Sequence, residues 1–216
     1  ARHLAVQPDG RRLPPELVRA MAELADEHDL WLFTDDLYEH LVYDGEFVTA
    51  ASYAPERTLL VHGASKGYAM TGWRIGFGAG PKKLVQAMNR LQGQSTSGAH
   101  AVAQHATGAA LTEGEKTAAF QRMTRAAYVE RRDVLVEGLN RLGLSTPKPQ
   151  GAFYVMADSS AIDPDEERAA IRLLDEARVA VVPGTDFLAP GRLRFSYATS
   201  LDNVKAALER IGRLIG

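Results

Sequence analysis

HGASKGYAMTGWRIGFGAG, residues 62–80, sets one lysine, Lys66, and one arginine, Arg74, among glycines and small or apolar residues. Charged side chains seldom stand in such runs unless something pairs with them. Lys66 follows directly on TLLVHGAS, 58–65, an apolar run that reads as a buried strand. In parallel α/β sheets ligands sit beyond the carboxyl ends of strands. An amine desolvated there loses its proton more readily and can form a Schiff base. The plain alternative is a solvated loop lysine, since a lone lysine is no motif. Asp35 ends a second apolar run, LWLFTD, 30–35, so it belongs at the same sheet edge, and Tyr38 follows in its turn. A buried carboxylate there needs a cationic or donor partner; the alternative is that Thr34 or Asp35 caps the DLYEHL turn. Arg74 carries the side chain best suited to gripping phosphate or carboxylate with two parallel hydrogen bonds, or else pairs with a nearby acid. In RLRFSYA, 192–198, alternation puts Arg192, Arg194 and Ser196 on one face and Leu193, Phe195 and Tyr197 on the other. That cationic face is either ordinary solvent exposure or a seat for an anion. A lysine for imine chemistry, an aspartate for a ring cation, a tyrosine and two arginines for phosphate and carboxylate make the set that pyridoxal phosphate chemistry needs.

The elements that must position these residues follow from local pattern. HLAV, 3–6, reads as a short strand and PDG, 8–10, as a turn. Pro14 and Pro15 lead into a helix with Leu17, Met21 and Leu24 on one face, ended at His28-Asp29. A helix followed by a buried strand suggests a parallel sheet with helical crossovers. WRIGFGAG, 73–80, reads as a glycine-rich strand and turn, and Pro81 as the first residue of a helix containing Leu84, Val85, Met88 and Leu91. An alanine-rich helix spans 99–111, and a long one 115–142. After Gly143 come a proline-containing linker, a strand at GAFYVMAD, and a helix start at Asp163-Pro164-Asp165-Glu166 with Asp163 as N-cap and Glu166 in a capping box. VAVVPG, 179–184, and 192–198 read as strands, and Ser200 caps a last helix with Leu201, Val204, Leu208, Ile211 and Ile215 inward.

Length and charge bound the function. The chain has 216 residues, enough for one large α/β domain or two small ones. A net charge of −2 with no basic or acidic run recruits neither nucleic acid nor a membrane surface. With no cysteine, disulfides, thiolate metal sites and cysteine nucleophiles are excluded, which fits a cytoplasmic location.

TDDLYEHLVYDG, SKGYAMTGWRIGFGAGP and RLRFSYATS resemble three signature blocks of the class I/II aminotransferases, the fold-type-I pyridoxal-phosphate enzymes, and most of all the aspartate and broad-specificity branch. The resemblance runs over about residues 11–215. It implies the C-terminal part of such an enzyme: a partial, mostly parallel sheet with helices over 1–120, then a small α+β domain over 121–216, joined by the helix at 115–142. It implies pyridoxal 5′-phosphate as cofactor and an amino acid and a 2-oxo acid as substrates, with a homodimer as the complete enzyme. Lys66 is similar to the lysine that carries the cofactor and moves the α-proton, and Asp35 to the carboxylate that keeps the pyridine nitrogen protonated. Tyr38 matches the donor to the ring oxygen, Arg74 and Ser65 the phosphate ligands, and Arg194 the arginine for the substrate α-carboxylate. Gln7 stands where the family has asparagine, one methylene shorter. The family's N-terminal portion, with its phosphate-cradling loop and ring-stacking aromatic, has no counterpart here, so this chain alone is expected to hold the cofactor weakly.

The alternatives are a β-eliminating lyase on the same fold, which shares the lysine, and a chain that is not an enzyme, either the aminotransferase-like sensor half of a regulator or a remnant that serves only in assembly. Other signals are set aside. His100 and His105 lie five apart, on different sides of a helix, so no metal site is expected. GASKG lacks the P-loop spacing, and GFGAGP is only loosely like a dinucleotide fingerprint. Asp35 and Asp36 are adjacent and point to opposite faces of a strand, which argues against a carboxylate dyad. Trp31 and Trp73 are expected to serve core or interface packing.

Overall fold

A computed structural model describes residues 10–216. The strand expected at 3–6, Gln7 and the first two residues of the PDG turn lie outside the described residues. The chain divides into two compact units, Arg12–Thr124 and Arg125–Gly216, the latter with Gly10 and Arg11. The division falls inside the long helix α4 (Glu115–Arg141).

The first unit opens with α1 (Pro15–Glu27), with Pro15 in the first turn, where its missing N–H costs nothing. Its buried stripe is Val18, Ala22 and Ala25. The expected stripe of Leu17, Met21 and Leu24 is displaced: Leu17 and Leu24 are exposed, and Met21 packs at the margin against Val18 and Ala50. The two stripes share one spacing and sit one residue apart around the helix, so periodicity does not choose between them. Small alanines choose, because they let the helix lie close.

The sheet of this unit has the order β1-β2-β3. β1 (Leu32–Asp35) pairs parallel with β2 (Thr58–Gly63), Asp35 opposite Val61. β3 (Gly76–Ala79) pairs antiparallel on the other side of β2, Gly63 opposite Gly76. A parallel return generally needs a helical crossover, and residues 64–75 supply only a single 3-10 turn, Thr71–Trp73. The strand at the first run is shorter than LWLFTD, and Trp31 and Phe33 are exposed. Trp73 is exposed as well, so neither tryptophan belongs to the core. Pro81 is the N-cap of α2 (Lys82–Ser95) rather than its first residue, and α2 buries none of its side chains within this chain. In α3 (Ala101–Thr112), Ala103 and Thr107 are buried; His100 and His105 are exposed.

The second unit is an antiparallel sheet of β4 (Tyr154–Asp158), β6 (Arg192–Ser196) and β5 (Val182–Pro183), in that order, with helices. Leu139, Leu144, Val155, Leu193, Tyr197 and Ile211 are among its fully buried side chains. β6 alternates as its sequence requires, with Leu193, Phe195 and Tyr197 inward. Of VAVVPG only Val182–Pro183 forms a strand. α5 (Glu166–Asp175) is capped by Asp165, which accepts from the N–H groups of Glu167 and Arg168. The expected cap, Asp163, instead accepts from Asp165 N–H and the Arg168 guanidinium. Pro164 cannot start the helix two residues early because the better cap lies after it. α6 (Leu201–Ile215) begins at Ser200, whose hydroxyl accepts from Asn203 N–H.

Candidate active site

Three strand ends converge at one edge of the β1-β2-β3 sheet. The parallel pair sends its carboxyl ends there, and the antiparallel β3 begins there. Asp35 closes β1, and one carboxylate oxygen accepts from Leu37 N–H at 3.3 Å, which folds the chain into the turn that carries Tyr38. Ser65 and Lys66 lie in the turn after β2, and Arg74 precedes β3. The turn after β2 is closed by Met70 N–H on Ala64 C=O and Ala69 N–H on Lys66 C=O, both 3.1 Å. Ala64 and Ile75 are buried beneath it with Ala103, and Tyr68 and Met70 pack against them. The first unit therefore brings Asp35, Tyr38, Ser65, Lys66 and Arg74 to one sheet edge. Of the six lysines, Lys66 is the one that is half-buried; the other five are exposed.

Arg74 is exposed and left-handed, φ 52° and ψ 49°, and donates to Thr71 C=O at 3.0 Å. It is no edge-strand residue. It lines an open depression of 780 Å³ with Trp73, Gln92, Thr96, Gly98 and His100 among others. Arg194 is in the second unit, on β6 opposite Met156 and Val182. Its guanidinium carbon lies 3.8 Å from the centre of the Phe187 ring and 4.5 Å from that of Tyr154. Two aromatic rings thus flank the guanidinium.

Behind the first edge lies a buried polar group that no sequence motif marks. Asp36 is 1% exposed. The Thr49 and Thr34 hydroxyls are its nearest donors, but neither closes a well-formed hydrogen bond to a carboxylate oxygen. Burial pushes its pKa above the usual carboxylate range; the Thr49 hydroxyl and His62 pull it back and the Glu39 charge adds to the rise. Gly63 N–H donates to His62 Nδ1 at 2.7 Å, so the ring proton sits on Nε2, 3.2 Å from Glu39 Oε2. The nearness of His62 is the main reason the Glu39 carboxyl lies below its ordinary value. His40 Nε2 is 3.8 Å from Glu39 Oε1 and 3.2 Å from the Tyr68 hydroxyl. Burial lowers the His40 pKa, against the pull of Glu39. The donor atoms of Glu39, His40 and His62 lie within 4.8 Å of one another, a spacing a metal ion could bridge. The His62 tautomer opposes it: Nε2 offers Glu39 a proton, whereas a ligand must offer a lone pair. The group is a cluster of polar side chains in close contact, with one hydrogen bond between side chains, His40 to Tyr68.

The family model for aminotransferase class I and II matches residues 5–211. The chain belongs to this family. As a class I and II aminotransferase chain it is 54% identical to the aspartate/prephenate aminotransferase of Thermus thermophilus, over 97% of its own length and 54% of that protein's. It is 42% identical to the aspartate aminotransferase of Rhizobium meliloti, over 94% of its length and 53% of that protein's. Among solved structures, the Thermus thermophilus aspartate aminotransferase with maleate superposes with a TM-score of 0.93, at 54% identity, covering 96% of this chain and 54% of the other. An aromatic aminotransferase from Pyrococcus horikoshii gives 0.90 at 35% identity, covering 96% and 57%. The chain spans about half the length of the curated relatives it matches. This aminotransferase chain thus has the fold class expected of it, a partial fold-type-I α/β domain followed by a smaller α+β part. Among its described residues no helix is long and apolar enough to cross a membrane.

Proposed function

We propose that this chain contributes the lysine-bearing part of a pyridoxal-phosphate-dependent aminotransferase, which moves an amino group between an amino acid and a 2-oxo acid. The observation that carries the proposal is Lys66: the half-buried lysine, in a turn at the sheet edge where Asp35, Tyr38, Ser65 and Arg74 also end. The donor set fits the cofactor chemically. Asp35 would keep the pyridine nitrogen protonated, Tyr38 would serve the ring oxygen, and Arg74 with Ser65 would hold the phosphate. Gln7 is the further candidate for the ring oxygen and lies outside the described residues. When bound, the cofactor supplies an electron sink for the pair left on the substrate α-carbon. The Lys66 amine would hold the cofactor and would take the proton from the substrate α-carbon and return it. Arg194, its guanidinium plane fixed by Phe187 and Tyr154, holds the substrate α-carboxylate. The names of the relatives make aspartate the first amino donor to try.

The test is capture of pyridoxal phosphate by the purified chain, followed by borohydride reduction and peptide mass mapping. The expected result is an adduct at Lys66 in preference to the five exposed lysines, lost in Lys66→Ala, and formation of pyridoxamine phosphate on adding aspartate. Equal labelling of all lysines, unchanged by Lys66→Ala, overturns the proposal.

A further inference from the structure

Resting on that reading of Lys66, we propose that His40 is a positioning residue that locks the lysine turn to the turn carrying Asp35 and Tyr38. Two contacts place it there. First, a Cβ added at Gly67 would lie 2.6 Å from His40 Cδ2, 3.2 Å from its Cβ and 3.3 Å from its Cγ. Ordinary carbon contacts lie at about 3.5–4.0 Å. The backbone beside Lys66 is therefore seated directly on the His40 ring, and Gly67 is what lets it come so near. Second, His40 Nε2 meets the Tyr68 hydroxyl at 3.2 Å, with the two rings edge to face at 5.3 Å and 87°. The lysine at position 66 is thus followed by two consecutive residues held by one side chain.

His40 is itself braced. It belongs to the short 3-10 turn Glu39–Leu41 that follows Tyr38. Its ring stands edge to face with that of His62 at 6.1 Å, and its neighbour Glu39 lies 3.2 Å from His62 Nε2; His62 is buried on β2 and stacks on Phe77 of β3 at 5.2 Å and 17°. The chain of contacts runs from β3 through His62 and Glu39 to His40 and then Tyr68. Each side chain in it comes from a different strand or turn of the edge where the candidate residues meet, apart from the neighbours Glu39 and His40. An imidazole is suited to the place. It offers a flat ring for the Gly67 backbone and a nitrogen for Tyr68, and burial favours its neutral form, in which a ring nitrogen can accept from the phenol. His40 would not touch the substrate; it acts by fixing where the Lys66 amine can go, and such fixing governs how often a reacting group is in place.

The experiment compares the full chain with His40→Phe, His40→Gln and Tyr68→Phe. His40→Phe keeps a flat ring against Gly67 and removes the nitrogen; His40→Gln returns a polar atom at similar reach. Two readouts report on Lys66. One is the rate of pyridoxal phosphate capture at Lys66 by borohydride trapping. The other, which needs no cofactor, is the rate at which trinitrobenzenesulfonate labels Lys66, with Lys148 as the exposed internal standard. The expected result is a change of fivefold or more in both Lys66 rates for His40→Phe and Tyr68→Phe, with Lys148 unchanged, and recovery to within twofold in His40→Gln. Unchanged Lys66 rates in a folded His40→Phe overturn the proposal. If that variant does not fold, Tyr68→Phe, which removes only a hydroxyl, decides by the same readouts. Should the parent chain capture no pyridoxal phosphate at Lys66, the functional reading fails while the labelling arm still tests His40.

Discussion

Gly67→Ala isolates the seat of the lysine turn. Gly67 is buried and is not among the positive-φ residues, so alanine meets no backbone strain there. On backbone grounds alone the change would stabilise by about 0.4–1 kcal/mol, because alanine restricts the unfolded chain. Space opposes this. The new methyl would stand 2.6 Å from His40 Cδ2 with two more ring and stem atoms within 3.3 Å, roughly 1 Å inside a normal contact at the nearest point. His40 has little room to yield, edge-on to both Tyr68 and His62. Overpacking of this kind costs about 1–3 kcal/mol, so space wins. For a chain of this size each kcal/mol is about 2–4 °C of melting temperature. Urea unfolding of four proteins checks it: parent, Gly67→Ala, His40→Ala and the double variant. Removing the ring opens the space, so the cost of Gly67→Ala should shrink by about 1 kcal/mol or more in the His40→Ala background. A Gly67→Ala protein within about 0.5 kcal/mol of the parent, or an unchanged cost in that background, refutes the reasoning.

Further outcomes follow from other contacts. Asp36 has a folded pKa above its ordinary 3.8, so the folded state binds more protons than the unfolded one and stability falls as pH rises from about 4 through the raised value. Asp36→Asn should therefore gain on the parent across that window and hold a constant lead above it; melting curves from pH 4 to 8 that run parallel refute this. Tyr197 is fully buried and donates to Ala152 C=O at 3.1 Å, so Tyr197→Phe should cost about 0.5–1.5 kcal/mol in urea. Asp165→Ala removes the cap of α5 and should cost about 1 kcal/mol, whereas Asp163→Ala should cost less, the order opposite to that expected from sequence. On the proposed carboxylate role, Arg194→Lys loses the planar fork held between Phe187 and Tyr154, and calorimetry should show binding of a short dicarboxylate weakened at least tenfold.

The sheet edge was legible because strand ends and the residues after them are local signals. Asp35 and Lys66 each follow an apolar run, and the parallel register of those runs brings their ends level. The polar cluster of Glu39, His40, His62 and Tyr68 was not legible, since its members meet only through tertiary folding of residues up to 29 apart. One signal was available: His62 stands at the end of an apolar strand run, where a polar side chain needs a partner. The antiparallel course of β3 was also within reach, because no helix-length segment separates it from β2. The inward stripe of α1 was not, because two stripes of equal period compete. The choice between Asp163 and Asp165 as cap rests on the path after Pro164, which sequence does not specify.

Arg74 has a consequence beyond the anion it is suited to hold. An L-residue in the left-handed helical region costs roughly 1–2 kcal/mol, which glycine avoids. The segment is rich in glycine, and this position is not one. The fold thus carries a guanidinium at a place where its own backbone would prefer none. On the proposed phosphate role, Arg74→Gly is the kind of change that a screen for heat resistance would collect and a screen for activity would reject. On that role, position 74 is where the two kinds of selection on this chain pull in opposite directions.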